Sequence, residues 1–261
     1  MLVAGLGFLL MLLAGAVPAG AAALYLYVST GGVDERELMR LSSLGLPFQG
    51  LVMIGAVLLL ARRSTDGVVE ALALRPGRRW WLVALVLPVG VVSDGVVQLA
   101  QDLLPWLDRG GLGALDDALL SSGTLGMFLV GLGAVVTAPV SEELLFRGYV
   151  YKGLERGWGW AVATLVSGLF FALYHADPLH VVGVLVIGLY LGWLRHLSGS
   201  LWTCIAAHAL NNLVWVGFTA TVGLVPEIPW WVTVCCGLVV FAPMALVRRP
   251  RRWTGTPPRS G

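Results

Sequence analysis

The sequence has few charged residues, and one basic type is nearly missing. Only 12% of the 261 residues are charged, whereas 57% are hydrophobic and the mean hydropathy is +0.83. A soluble domain of this length needs far more charge to cover its surface. Lysine occurs once, at Lys152, and the net charge of +2 gives no indication of nucleic-acid binding. The sequence therefore predicts a polytopic membrane protein that contacts the lipid bilayer and has no nucleic-acid partner.

Cysteine and several catalytic motifs are also scarce or absent. The three cysteines lie in apolar segments without metal-type CxxC spacing, which predicts small buried side chains. The sequence has no HExxH metalloprotease motif, and Ser141 is not part of a GxSxG elbow. No basic residue precedes Arg36, so we interpret the first apolar segment as a retained span rather than a cleaved signal peptide.

Apolar runs of about 20 residues predict that the chain crosses the bilayer repeatedly. We predict an all-α bundle of about eight transmembrane helices within a single domain, residues 1–247. Residues 248–261 are basic and contain proline, which predicts a disordered cytoplasmic tail. The predicted spans cover about residues 2–28, 44–61, 80–105, 122–156, 160–176, 179–195, 199–222 and 229–247.

The distribution of basic residues predicts the orientation. With both termini placed in the cytoplasm, all but three of the 17 basic residues lie in cytoplasmic segments. The exceptions are Arg36, Arg40 and Arg109. This bias follows the positive-inside rule and predicts a multi-pass protein of the cytoplasmic (plasma) membrane with both termini cytoplasmic.

A polar cluster interrupts the fourth predicted span, in the stretch "APVSEELLFRGYVYKGLERG". Charged groups inside a membrane are costly, so such a cluster marks a candidate functional site. Glu143 and Arg147 are four residues apart, in the order that favours a helical ion pair. Glu142 has Phe146 at the equivalent position and therefore lacks this kind of partner. An unpaired buried carboxylate is suited to act as a general base or acid.

Two later spans contain further polar residues. "FFALYH" places Phe171 one helical turn before His175, and "HALNN" places His208 and Asn212 on one helix face with Asn211 beside them. If the chain turns near Trp158 and Gly159, then Glu142 and His175 lie about 21 and 22 Å along the two arms of one hairpin. We therefore expect these polar groups to converge at one depth.

The ordered motifs EExxxR, FxxxH and HxxxN resemble those of the CPBP family, which includes CAAX-type prenyl endopeptidases and Abi-type or bacteriocin-processing membrane proteases. The resemblance covers about residues 120–225, the expected protease core. It implies a membrane-embedded catalytic cavity that opens toward the cytoplasm. It also implies a peptide or membrane-protein substrate, prenylated if the host makes such proteins. The family's functional positions correspond here to Glu142, His175, His208 and Asn212, supported by Glu143, Arg147, Phe171 and Asn211.

The sequence favours an intramembrane endopeptidase in which Glu142 and His175 activate a water molecule. His208 and Asn212 would then donate hydrogen bonds to the developing oxyanion. One alternative is a zinc protease, because Glu142, His175 and His208 could ligate zinc and leave a fourth position open. We favour the metal-free mechanism, which requires no cofactor. The other alternative is a non-proteolytic scaffold or immunity protein with the same fold.

Overall fold

The computed structural model describes residue 16 and residues 19–65, 67–107, 110–223 and 227–247. These residues form helices joined by short connections, and no β-strand occurs among them. The predicted all-α class is therefore confirmed for this part of the chain. Most of the predicted first span and the whole predicted tail, residues 248–261, lie outside the described residues.

Twelve α-helices are described, together with one 3₁₀ turn and two π-helical segments. In chain order these are α1 (Ala19–Thr30), α2 (Glu35–Leu44), α3 (Leu46–Ala61), α4 (Gly67–Ala71), a 3₁₀ turn (Trp80–Leu85), α5 (Val86–Leu103), α6 (Gly110–Ser121), α7 (Gly123–Leu132), a first π segment (Gly133–Thr137), α8 (Ala138–Glu143), a second π segment (Leu144–Val150), α9 (Tyr151–Tyr174), α10 (Pro178–Ser198), α11 (Leu201–Val222) and α12 (Trp230–Leu246).

Four helical stretches are long and apolar enough to cross a membrane, while α1, α3 and α12 are apolar but shorter. The longest stretch combines α7, the π segments, α8 and α9, and it is broken at Gly159, where φ is 81° and ψ is 171°. The hairpin turn predicted at this position is confirmed, because the Phe146 and Phe171 rings from its two arms lie only 5.3 Å apart, and the positive φ at the break suits glycine. The count of eight spans stays a prediction. The four stretches are Trp80–Leu103, Gly123–Tyr174, Pro178–Ser198 and Leu201–Val222.

Helix α10 is the central helix of the bundle. In its most apolar 18 residues, 67% of the positions are buried. The corresponding share is 22–33% in the other three stretches that are long enough to cross a membrane. Its packing against α9 is close, because a Cβ atom added to Gly188 would lie 3.0 Å from the carbonyl oxygen of Gly168. Glycine at both positions thus allows the two backbones to touch, as is common between membrane helices.

Local capping explains where the helices that carry the later motifs begin and end. The Asp177 side chain accepts a hydrogen bond from the backbone of His180 and caps α10, with Pro178 in the first turn. Gly199 ends α10 in a left-handed conformation, φ 67°, and the Ser200 side chain then caps α11. Because Gly199 and Ser200 are adjacent, α10 ends and α11 begins within a short turn that brings α11 back beside α10.

Two segments that lie between predicted spans contain the helices α2 and α6. Asp34 caps α2 by accepting a hydrogen bond from the backbone of Glu37. On α6, Asp116 is buried and accepts a hydrogen bond of 3.3 Å from Thr219 of α11. The two helices pack against each other, and α6 also packs against α11.

Candidate active site

The two glutamates lie on α8, a short helix between the two π-helical segments. Glu142 is 7% exposed and Glu143 is fully buried. π-Helical turns are rare and frequently occur at functional sites, where the extra residue changes the direction of neighbouring side chains. The unusual backbone on either side of α8 therefore coincides with the most polar part of the bundle interior.

Glu143 and Arg147 form the ion pair that their spacing predicted. Arg147 Nη1 lies 3.0 Å from Glu143 Oε1, and both side chains are fully buried. Arg147 Nη2 also donates to the carbonyl oxygen of Gly188 at 2.9 Å, and its Cζ lies 4.3 Å from the Phe171 ring centroid. The guanidinium therefore connects α8 to both α9 and α10, and the pair carries no net charge.

His208 lies between the two glutamates. Its Nδ1 is 3.0 Å from Glu143 Oε1, and its Nε2 is 3.9 Å from Glu142 Oε2. An ionised carboxylate can only accept hydrogen bonds, so Glu143 holds the hydrogen on Nδ1 and directs Nε2 toward Glu142. Glu142, which has no partner on its own helix, thus faces a histidine from α11.

His175 directly follows the last residue of α9. Its Nδ1 lies 2.9 Å from the carbonyl oxygen of Phe171, which can only accept, so Nδ1 carries the hydrogen and a neutral ring presents Nε2 as an acceptor. The Phe171 ring lies edge-on to both histidines, with centroid distances of 5.2 Å to His175 and 5.5 Å to His208. Phe171 therefore supports both rings, which extends its predicted supporting role.

Asn212 contacts the first π segment. Its Nδ2 donates to the carbonyl oxygen of Ala134 at 2.8 Å, and its Oδ1 accepts from Asn211 Nδ2 at 3.3 Å. Asn212 thus binds α11 to the backbone just before α8. One hydrogen of the Asn212 amide is used in this contact.

A pocket beside Glu142 includes residues that the sequence reasoning missed. Its polar lining consists of Gln49 from α3, Ser141 and Glu142 from α8, and Tyr174 at the end of α9. Gln49 Nε2 donates to the Tyr174 hydroxyl at 2.6 Å. A signal for Gln49 did exist, because it is the one polar side chain in an otherwise apolar helix. No motif spacing marked its pairing with Tyr174, which is 125 residues away.

The two histidines outside the motifs have distinct surroundings. The His180 ring centroid lies 4.5 Å from that of His175. His196 is largely buried and stacks on Trp160 with a centroid distance of 4.3 Å. Its neighbour Arg195 is also buried and donates from Nε to the carbonyl oxygen of Arg147 at 3.3 Å.

The zinc alternative required Glu142, His175 and His208 to converge on one ion. Among the described residues, no group of three or more His, Cys, Asp or Glu side chains is arranged to hold a metal. The side chains present therefore do not fit a zinc site with three protein ligands, the usual number in catalytic centres. Chelation of the purified protein tests whether activity depends on a metal.

Together, the fold and the site define a polytopic membrane protein with a buried site rich in carboxylate and imidazole groups. Comparison with known proteins narrows this class. Residues 124–214, about a third of the chain, match the family model described as "Type II CAAX prenyl endopeptidase Rce1-like". This segment contains Glu142, His175, His208 and Asn212. The resemblance to the CPBP proteases is confirmed over the segment that carries the motifs.

A curated relative agrees with this family match. The chain is 27% identical over 77 residues to the Bacillus subtilis (strain 168) protein named "Putative membrane peptidase YdiL". The alignment covers 30% of this chain and 32% of that protein, so about two thirds of each lies outside it. No solved structure matches the chain significantly.

Proposed function

We propose that the protein is an intramembrane endopeptidase that hydrolyses a peptide bond with a water molecule activated by Glu142. The observation that carries this proposal is the buried series of contacts from Arg147 through Glu143 and His208 to Glu142. In this series Arg147 neutralises Glu143, and Glu143 orients His208. The Glu142 carboxylate remains available for proton transfer. The family match and the named peptidase relative support the same class of reaction.

Glu142 is the general base in this proposal. It lines the pocket, which has room for about one water molecule beside the carboxylate. Its carboxylate removes a proton from the water, and the resulting hydroxide adds to the carbonyl carbon. Glu142 then returns this proton to the amide nitrogen as the carbon–nitrogen bond breaks, which yields a carboxylic acid and an amine.

His175 helps to orient the water. Because its Nδ1 donates to the Phe171 carbonyl, its neutral Nε2 can only accept a hydrogen bond. A water that donates one hydrogen to Glu142 and the other to His175 keeps an oxygen lone pair free for attack on the carbonyl. The role assigned to His175 from the sequence is therefore compatible with its tautomer.

His208 and Asn212 stabilise the oxyanion. When His208 is protonated on both nitrogens, the site contains two positive groups, Arg147 and His208, and two carboxylates, so its net charge is zero. Nε2 then has a hydrogen to donate, and the Asn212 amide retains its second hydrogen. In comparable oxyanion sites, one hydrogen-bond donor of this kind lowers the activation free energy by about 2.7–4 kcal/mol.

The proposed substrate is a peptide or a membrane protein, prenylated if the host makes such proteins. Apolar helices surround the site, so a lipid-anchored or membrane-embedded segment could approach without leaving the bilayer. We further propose that the enzyme resides in the cytoplasmic membrane with both termini and the catalytic opening on the cytoplasmic side. The support for this orientation is the bias of the basic residues.

A cleavage assay with purified protein in lipid nanodiscs tests the proposal. The substrates are a library of single-span membrane peptides and farnesylated peptides with a CAAX terminus. We expect wild-type protein to cleave members of the library and Glu142→Gln to cleave none while remaining folded. Glu155→Gln, the same substitution near the tip of the hairpin, serves as the matched control and should retain activity. Cleavage by Glu142→Gln at the wild-type rate would reject Glu142 as the base.

A further inference from the structure

Two parts of the chain line the pocket beside Glu142, and only one of them lies within the segment that matches the family model. One wall consists of α8 and the end of α9, which lie within the matched segment 124–214. The other wall is α3, which contributes Leu46, Gln49 and Met53 and lies outside that segment. Any role of α3 in the reaction is therefore not assigned by the family match.

Tyr174 has a hydroxyl hydrogen that is not engaged. Gln49 Nε2 donates to its oxygen at 2.6 Å, so the hydroxyl acts as the acceptor in this contact. A phenol also has one hydrogen to donate, and none of the hydrogen bonds seen among the described residues uses it. The neighbouring Ser141 differs, since its hydroxyl donates to the carbonyl oxygen of Ala138 at 3.0 Å.

The other proposed donors are partly committed elsewhere. His208 Nδ1 is bound to Glu143, and one hydrogen of the Asn212 amide is bound to Ala134. Tyr174, by contrast, lines the same pocket as Glu142 and is held from two sides. Its ring packs against His175, with a centroid distance of 5.5 Å, and Gln49 fixes its oxygen. A fixed hydroxyl with an available hydrogen is the type of group that stabilises developing negative charge.

We propose that Tyr174 is a further catalytic residue, which donates a hydrogen bond to the oxygen of the carbonyl under attack, and that Gln49 is its positioning residue. The inference rests on the proposed function, because it requires a substrate carbonyl beside Glu142. It also implies that the carbonyl under attack reaches the pocket between α3 and α8. The N-terminal part of the protein would thereby contribute directly to the reaction.

The test measures kcat and KM for the library peptide that wild-type protein cleaves fastest, in nanodiscs. Tyr174→Phe removes only the hydroxyl, and kcat should fall at least about tenfold while KM changes less than about threefold. Tyr190→Phe is the matched control, because that hydroxyl donates to the Leu82 carbonyl away from the pocket. Its kcat should stay at the wild-type value. A smaller fall for Tyr174→Phe, or an equal fall for Tyr190→Phe, would overturn the proposal.

Gln49→Met provides the second variant. It keeps the length of the side chain but loses the amide, so kcat should fall by less than in Tyr174→Phe. In the Tyr174→Phe background the same substitution should have no further effect on kcat, because Gln49 acts through that hydroxyl alone. Additive effects in the double variant would show a separate role for Gln49 and overturn the pairing. If Tyr174→Phe fails to fold, an unchanged kcat in Gln49→Met overturns the inference.

Glu142→Gln separates this inference from the proposed function. An active Glu142→Gln, or a wild-type protein that cleaves no library member, would reject the protease mechanism and the role of Tyr174 with it. Loss of activity in Glu142→Gln together with wild-type kcat in Tyr174→Phe would reject the tyrosine alone.

Discussion

Replacing Glu143 by glutamine should destabilise the protein strongly, because it leaves the Arg147 charge buried without its counter-ion. Both side chains are fully buried, and their nearest atoms are 3.0 Å apart. The carbonyl of Gly188 and the Phe171 ring still contact the guanidinium after the substitution, but neither carries a negative charge. Breaking a buried ion pair by removing one partner costs about 3–5 kcal/mol. We expect Glu143→Gln to lower the free energy of unfolding by that amount.

Reversible unfolding in mixed micelles, followed by circular dichroism, measures this change. Glu37→Gln is the matched control, since Glu37 also pairs with an arginine on its own helix but both side chains are partly exposed. Its effect should be below about 1 kcal/mol. The double variant Glu143→Gln/Arg147→Met removes both charges and should be less destabilised than Glu143→Gln alone. Equal effects at Glu143 and Glu37, or a double variant as unstable as the sum of the singles, would refute the reasoning.

Three further predictions concern packing, topology and metal. Gly188→Ala should lower the free energy of unfolding by about 1–3 kcal/mol in the same assay. The new Cβ would lie 3.0 Å from the Gly168 carbonyl oxygen and 3.1 Å from the Phe171 ring. An unchanged free energy of unfolding would contradict the close helix contact. Reporter fusions placed after Thr30, Gly77, Gly111 and the C-terminus should lie outside, in the cytoplasm, outside and in the cytoplasm, in that order. A periplasmic C-terminus would overturn the orientation. Peptide cleavage should survive exhaustive chelation, with no stoichiometric metal found by mass spectrometry; activity lost on chelation and restored by zinc would favour the metalloprotease alternative.

The sequence predicted the local features of the site well. The Glu143–Arg147 ion pair depends only on four-residue spacing along one helix, and the turn at Gly159 depends on a residue that tolerates left-handed φ. Both are confirmed, because each is decided by groups close together in the chain. Both ends of α10 and the start of α11 likewise follow from Asp177, Gly199 and Ser200, whose types favour caps.

The sequence pattern did not predict the contacts between helices. Hydrogen bonds join Glu143 to His208 across 65 residues, and Gln49 to Tyr174 across 125 residues. Periodicity indicates which face of a helix is polar, but not the rotation at which two helices meet. The π segments beside α8 add a second difficulty, because depth estimates from a uniform α-helical rise do not allow for them. The placement of His208 between the two glutamates therefore emerged only from the structure.

The measurement that tests the central claim most directly is kcat of purified Glu142→Gln, compared with wild type at equal stability. The substitution keeps the shape of the side chain and removes its ability to take a proton. A positioned general base contributes about 10²- to 10⁴-fold to the rate, so kcat should fall by at least about 100-fold while the unfolding transition is unchanged. A folded Glu142→Gln that cleaves the same peptide at the wild-type rate would contradict the account.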